Sequence, residues 1–453
     1  MGFAFATLGE KVTGDLINLY RCSNGCERRF LFDLSDVFRN IDTISDDDVL
    51  IIMSIVNDRN VQSDAKNMVI ELLLKPEKVS KKILNELALM SNSETFHSNI
   101  INQVLIKHNH FESKKLMLKL IEADSHWDHA LNDVYYKLTQ MEGKGAFALP
   151  ALYKVALKPE SENRYRAIRT IGFVGNSDSV IFLLNLLDEK IDWLVVYSAI
   201  NSLSQLNAKT EVSKLKSLAD NHWYKIVRDA AQAVINRFDN DDEYQSIFYL
   251  EKYSAQFNDL DYLKETELKH GNIWVPKLGV CDNKSFKIID KNTALKKYRN
   301  KNNKESFIEF SYFASILSDS YFPDDNRLYP HVVLKAGHDW LIGRNQGEFG
   351  GELLVKQENI FNVLLNENIE DIYKMDFGYI ATTGLAHMMF DSGYIYLISK
   401  TDSGSWKTAK WLKLPGAPRT SWFIKGNKLL INTTKASITI TQTGEIQTVE
   451  CEQ

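Results

Sequence analysis

Three segments of this 453-residue chain repeat one pattern at an interval that admits few folds. Within 164–172, 196–203 and 228–235 a small alanine (Ala167, Ala199, Ala231) stands four positions before an aliphatic residue (Ile171, Leu203, Ile235), and the alanines are 32 residues apart in both intervals. Second amphipathic segments, Ser179 to Leu187 and Glu211 to Ala219, lie between the copies, bounded by turn residues at 176–178 and 207–209. A helix, a turn and a second helix at this period form an α-solenoid. Two helices alone cannot bury both apolar faces, so each pair stacks on the next, and alanine at the crossing lets helix axes come close.

The first helices resemble HEAT repeats of the short, PBS-lyase-like kind, whose pattern is Arg-x-x-Ala-Ala-x-x-Leu. Arg164 and Arg228 match its arginine and Val196 departs from it. The resemblance implies a stacked helical scaffold and names no chemistry.

Apolar residues at helical spacing continue upstream, in Leu31–Ile41, Asp46–Val56, Asp64–Leu74, Val79–Met90, Thr95–Lys107, Glu112–Ala123, Trp127–Gln140 and Ala146–Leu157. Three aspartates, Asp46, Asp47 and Asp48, mark a helix start. Downstream, Tyr244–Glu267 reads as an aromatic capping helix, and Lys291–Lys304 holds six basic residues and no acid, which reads as a polar linker or a nucleic-acid contact. From Phe307 onward short β-branched and aromatic runs alternate with glycine, the vocabulary of strands and hairpins.

A looser repeat runs through this part. Asp339–Gly343, Gly378–Gly384 and Lys428–Thr434 are each followed by a second run (Gly351–Val355, Leu385–Phe390, Ala436–Thr441) and a third (Ile360–Leu365, Gly393–Ser399, Glu445–Val449). Turns are expected at 391–393 and 443–444. The runs look like three propeller-type blades, too few for an ordinary closed ring, which leaves a partial barrel, packing on the solenoid or self-association for the sheet edges. The fold class is therefore α+β multidomain: a HEAT-like α-solenoid over 1–250, a capping helix and basic linker over 251–305, and an antiparallel all-β domain over 306–453.

Function is narrowed mostly by exclusion. The chain has no Gly-x-x-x-x-Gly-Lys-Ser/Thr loop, no Gly-x-Ser-x-Gly elbow and no His-Glu-x-x-His helix, and none of its ten histidines precedes a glutamate, as HEAT-like metal hydroxylases require. No apolar run is long enough for a membrane span, and the start, with no basic lead, does not read as a secretory signal. Cys22, Cys26, Cys281 and Cys451 are too few to staple the chain and lack zinc spacing, which points to a reduced, cytoplasmic protein. No cofactor is expected.

The net charge of −5 lies in the helical part, with 29 basic against 34 acidic residues up to Glu243 and balance beyond. That suits a basic protein partner better than a phosphate backbone. Trp127, Trp193 and Trp223 fall where one repeat turns into the next, so with His222 and Asp192 they form the candidate partner-binding edge. His126, His129 and Asp133 are the best polar grouping, with helical spacing that could hold a metal or support acid–base chemistry, against the simpler reading of a capped helix start. In the β domain, a glycine-rich turn is expected at 347–351, where Arg344 with Glu348 could form a polar site, while Trp406, Trp411 and Trp422 read as sheet packing or an aromatic patch. The resulting expectation is a non-catalytic binding protein, such as a bacterial immunity protein or antitoxin that neutralises a basic toxin. The alternatives are an enzyme with a polar or metal site between solenoid and β domain, using His126, His129 and Asp133, and nucleic-acid binding through the basic linker.

Overall fold

Alanine and the aliphatic residue four positions on are buried in all three copies of the repeat. Ala167, Ala199 and Ala231 have no exposed surface, and Ile171, Leu203 and Ile235 are at most 4 % exposed. In the computed structural model, residues 13–21, 44–74, 78–91, 98–110, 113–125, 129–240, 278–281, 286–287, 331–358, 360–387 and 390–449 are described. The helices among them are α1 (Thr13–Asn18), α2 (Asp46–Asn57), α3 (Ser63–Glu71), α4 (Lys81–Ser91), α5 (Ser98–Lys107), α6 (Ser113–Ala123), α7 (His129–Met141), α8 (Leu149–Ala156), α9 (Arg164–Val174), α10 (Ser177–Leu186), α11 (Trp193–Gln205), α12 (Val212–Asn221) and α13 (Lys225–Asn240). The segment expected at 31–41, the capping helix at 244–267 and the basic tract at 291–304 lie outside the described residues. None of the described helices is long and apolar enough to cross a membrane.

The chain divides into two compact units, and the division falls inside the helical region. The first contains the described residues up to Leu183 together with Asn201–Asn207; the second contains Leu184–Ile200, residues 208–240 and the described residues from 278 onward. The boundaries expected at 250 and 305 fall among residues that are not described.

In the first unit, helices α1 to α5 share one apolar cluster that includes Ile17, Tyr20, Ile52, Val69, Leu87 and Val104. The aspartate-rich start of α2 is closed by a capping box: Ser45 Oγ accepts the Asp48 N–H, and the Asp48 carboxylate accepts the Ser45 N–H. Arg164, the HEAT-pattern arginine, is buried and donates from Nε to the Ala156 carbonyl at 2.7 Å, satisfying the end of the preceding helix. Gly172 lets α9 meet Ser202 closely, since a Cβ there would stand 2.8 Å from the Ser202 Cα, and Ser202 Oγ donates to the Ile168 carbonyl at 2.9 Å. The small residue at the crossing is thus a requirement of backbone approach.

The β part of the second unit consists of three four-stranded antiparallel sheets. Sheet 1 holds β1 (Val332–Ala336), β2 (Asp339–Gly343), β3 (Leu353–Gln357) and β4 (Ile360–Leu365); sheet 2 holds β5 (Ile369–Met375), β6 (Gly378–His387), β7 (Phe390–Lys400) and β8 (Trp406–Lys413); sheet 3 holds β9 (Pro418–Ile424), β10 (Lys428–Thr433), β11 (Ser437–Ile440) and β12 (Ile446–Val449). Each is a meander in chain order. Sheet 2 is apolar on both faces: Ile369, Ile372, Ala381 and Ile398 pack on sheet 1, and Tyr373, Met375, Ile380 and Ile395 pack on sheet 3. Polar knots add direction to these layers. Asp339 accepts from Lys400 Nζ at 2.7 Å and Trp406 Nε1 at 2.8 Å, joining sheets 1 and 2, and Tyr373 donates to the Ser421 carbonyl at 3.0 Å, joining sheets 2 and 3.

The three sheets are not closed among the described strands, so the likeness to propeller-type blades is not confirmed. Three details correct the sequence reading. The runs at 378–384 and 385–390 are one long strand with its hairpin, and the expected turn at 391–393 lies inside β7, where Gly393 pairs with Gly384. A Cβ at either glycine would meet Pro418 within 2.9 Å, so the pair serves close packing and not a reversal. Finally, Cys281 is disulfide-bonded, against the expectation of reduced thiols.

Candidate interaction site

Turn residues ahead of α11 and α13 carry the aromatic edge, and in the second unit that edge meets the β sheets. Asp192 is buried, and its Oδ1 accepts the Leu194 N–H at 3.1 Å while its carbonyl accepts the Val195 N–H at 3.1 Å, so its carboxylate caps the start of α11. Trp193, the first helical residue, is only 3 % exposed. Its indole Nε1 donates to the Leu414 carbonyl at 3.3 Å, and its ring lies edge-on to Tyr224 at 4.6 Å. The main chain takes part as well, because Lys413 N–H donates to the Ile191 carbonyl at 2.7 Å.

Trp223 is half-buried against the apolar cluster between sheets 2 and 3, formed by residues such as Leu412, Leu414, Phe423 and Leu429. Its carbonyl accepts from Thr448 N–H at 3.2 Å and from Thr448 Oγ1 at 2.8 Å. The same Thr448 Oγ1 accepts the Lys225 N–H at 3.1 Å, so a residue of β12 caps the start of α13. Arg228, the second HEAT-pattern arginine, donates from Nη1 to the carbonyls of His222 at 2.6 Å and Trp223 at 3.0 Å. Two of the three tryptophans expected to face a partner therefore face this chain's own strands. Large amphipathic rings are suited to either kind of interface, because they bury much area while their N–H finds an acceptor.

His222 stacks on Trp223 with ring centroids 5.8 Å apart, and its Nδ1 accepts the Tyr224 N–H at 3.1 Å. Burial, with Arg228 adding to it, pushes its pKa down to about 4 from the ordinary 6.5, against the opposing hydrogen bond from Tyr224. The imidazole is neutral in the fold and charges more readily in the unfolded chain, so stability is full above pH 6.5 and falls as pH drops towards 4. The loss reaches at most about 3 kcal/mol at pH 4. His222→Asn, which keeps an acceptor for the Tyr224 N–H, is expected to flatten this part of the pH–stability curve; thermal melts from pH 7 to 4 check it, and parallel curves for both proteins would show that His222 is not the titrating group.

The other candidates are dispersed. His126 and Trp127 lie outside the described residues, and so does the side chain of His129, while Asp133 is on an exposed position of α7. Among the described residues no cluster of three or more His, Cys, Asp or Glu groups has metal-holding geometry. Arg344 pairs with Glu352 and not with Glu348, which instead meets His387 at 2.8 Å on the surface. That buried pair, together with Glu370 beside Asn345 at 2.9 Å and His331 at 3.6 Å, was not identified in the sequence, where only the glycines of 347–351 attract notice. Trp406 is tied to Asp339, and Trp411 packs against the cluster between sheets 2 and 3, so these rings serve sheet packing.

Residues 149–236 match the family of HEAT repeats. No curated protein shows significant sequence similarity to the chain. Among solved structures, human deoxyhypusine hydroxylase in complex with glycerol is 12% identical, with 52% of this chain and 99% of that chain covered and a TM-score of 0.25. Lipovitellin, studied for its lipid–protein interactions, is 11% identical, with 96% of this chain and 48% of that chain covered and a TM-score of 0.31. Both likenesses are too slight to bear on what the chain does. The HEAT match agrees with the buried alanines and the carbonyl-capping arginines, and repeats of this kind generally mediate protein–protein interaction.

Proposed function

We propose that the chain is a non-catalytic protein-binding scaffold whose partner is a basic protein. The observation that carries this reading is a HEAT-repeat solenoid whose charge is acidic, with 34 acidic against 29 basic residues up to Glu243. With Trp193 and Trp223 occupied by the β sheets, the partner surface is assigned to the first unit. There Glu122 at the end of α6 and Glu160 and Glu162 ahead of α9 are exposed. Asp124 draws the two loops together by accepting from Ser161 Oγ at 2.9 Å, Asn163 Nδ2 at 3.1 Å and Lys158 Nζ at 3.4 Å. An acidic edge of this sort attracts and orients a cationic surface. A stoichiometric inhibitor, as immunity proteins and antitoxins are towards basic toxins, is the form of binding protein that such a charge favours.

Capture with the full chain at low salt should recover one basic protein in stoichiometric amount. The triple change Glu122→Lys, Glu160→Lys and Glu162→Lys should weaken its binding at least tenfold while leaving the thermal midpoint in place. Unchanged affinity would overturn the basic-partner reading, and recovery of no stoichiometric protein would overturn the scaffold reading.

A further inference from the structure

A cavity of about 690 Å³ opens in the first unit where the turn between α5 and α6 meets the end of α7. Its described lining is Asn109, Lys137, Gln140, Met141, Gly143 and Lys144: two ammonium groups, two side-chain amides, a thioether and a glycine, with no carboxylate. The volume falls within the roughly 300–1,000 Å³ typical of small-molecule sites. Among the described residues, the side chains of Lys137, Lys144, Asn109 and Gln140 make no ion pair or hydrogen bond. The helical part as a whole is acidic, so two unpaired ammonium groups around one hollow reverse the charge locally and attract anions.

The walls of the cavity are set before any ligand arrives. Asn109 has a left-handed backbone, with φ of 51°, in the turn that closes α5; its N–H donates to the Ile106 carbonyl at 3.2 Å, and the His110 N–H donates to the Leu105 carbonyl at 3.0 Å. The residues on either side are anchored: His108 Nε2 donates to the Leu73 carbonyl at 3.0 Å, and His110 Nε2 donates to Asn85 Oδ1 at 2.9 Å. On the other side, α7 runs without a break into a 3₁₀ helix, Glu142–Ala148, and on into α8. Gly145 fits that segment against its neighbours, since a Cβ there would stand 2.6 Å from Val174 Cγ1. Because the helical run continues, neither lysine serves a free helix end, which is the ordinary use of a cation at such a place.

The geometry points to a binding site for a small phosphorylated molecule. Lys137 and Lys144 take the phosphate, Asn109 and Gln140 supply amide donors, and the body of the ligand lies along Met141 in the space beside Gly143. A phosphate group carries nearly two negative charges at neutral pH and so matches two ammonium groups, where a single carboxylate matches one. Lysines bind it as point charges, without the fixed fork that an arginine would impose. The thioether of Met141 adapts to an organic body, which inorganic phosphate lacks. No atom stands within 4 Å of the place a Cβ would take at Gly143, so the glycine leaves that side of the cavity open.

Calorimetric titration of the full chain at low salt with AMP and with ribose 5-phosphate tests the site. At least one of the two should bind one to one, and adenosine or ribose, which lack the phosphate, should bind at least tenfold more weakly. Lys137→Gln with Lys144→Gln should weaken the binding at least tenfold. Gly143→Leu, whose side chain enters open space, should do the same and leave the thermal midpoint of the free protein unchanged. Binding of neither phosphate, or binding that both variants leave intact, would overturn the proposal, and so would adenosine and ribose binding as tightly as their phosphates. The readout needs no protein partner, so its failure leaves the scaffold reading untouched.

Discussion

Trp193→Ala is expected to destabilise the protein by about 3–5 kcal/mol, the cost of removing a large buried aromatic and leaving a cavity. Three losses act together: the buried ring, the hydrogen bond to the Leu414 carbonyl, and the edge contact with Tyr224. Trp193→Phe retains most of the ring and leaves one buried carbonyl with its donor removed, so about 1–3 kcal/mol is expected for it. Urea unfolding curves of the three proteins provide the comparison, read as midpoints at constant slope. The size of the effect also separates two roles for the ring. A tryptophan that waits for a partner would lose binding on truncation and keep its stability, whereas one that joins helices to strands must lose stability first.

Arg344→Met should cost about 3–5 kcal/mol, because it leaves the Glu352 carboxylate in a largely buried position without its counter-charge. The side chains of Arg344 and Glu352 are 5 % and 17 % exposed, so water cannot readily replace the missing partner. In the double variant with Glu352→Met, both charges are gone, and stability should return to within about 1–2 kcal/mol of the parent, since a buried pair contributes little over apolar residues of similar volume. The double-mutant cycle read from thermal and urea melts decides the matter. A double variant as unstable as the single would show that the carboxylate is not what the arginine neutralises. This pair holds the chain where β2 leaves sheet 1, since Arg344 N–H also donates to the Glu352 carbonyl at 2.9 Å.

Much of the helical architecture was legible because its signal is local. A helix shows its buried stripe every three to four residues, so the start and end of α2, α6 and α12 fall within a few positions of where periodicity places them. Strand signals are shorter and less directional. β1, β5 and β9, the first strand of each sheet, were not recognised as members of the repeat, and the hairpin between β6 and β7 was displaced by several residues. In β5 a bulge after Ile369 shifts the alternation, so both faces read as apolar and the period of two is blurred.

The site residues divide in the same way. Trp193 and Trp223 were expected at the repeat turns as partner-binding residues, and the surface they meet within this chain is formed by residues more than 200 positions away, Leu414 and Thr448. Asp192, expected on the partner-binding edge, caps the start of α11. By itself the sequence determined the repeat, its small crossing residues, its acidic charge and a strand-rich part after the helices, all set by neighbours within a turn or two of the chain. Only the tertiary structure decided which sheets stack, that the series stays open among the described strands, and that the aromatic edge is filled from within. Hydrophobic pattern states that a side chain must leave water; it does not state against which distant surface.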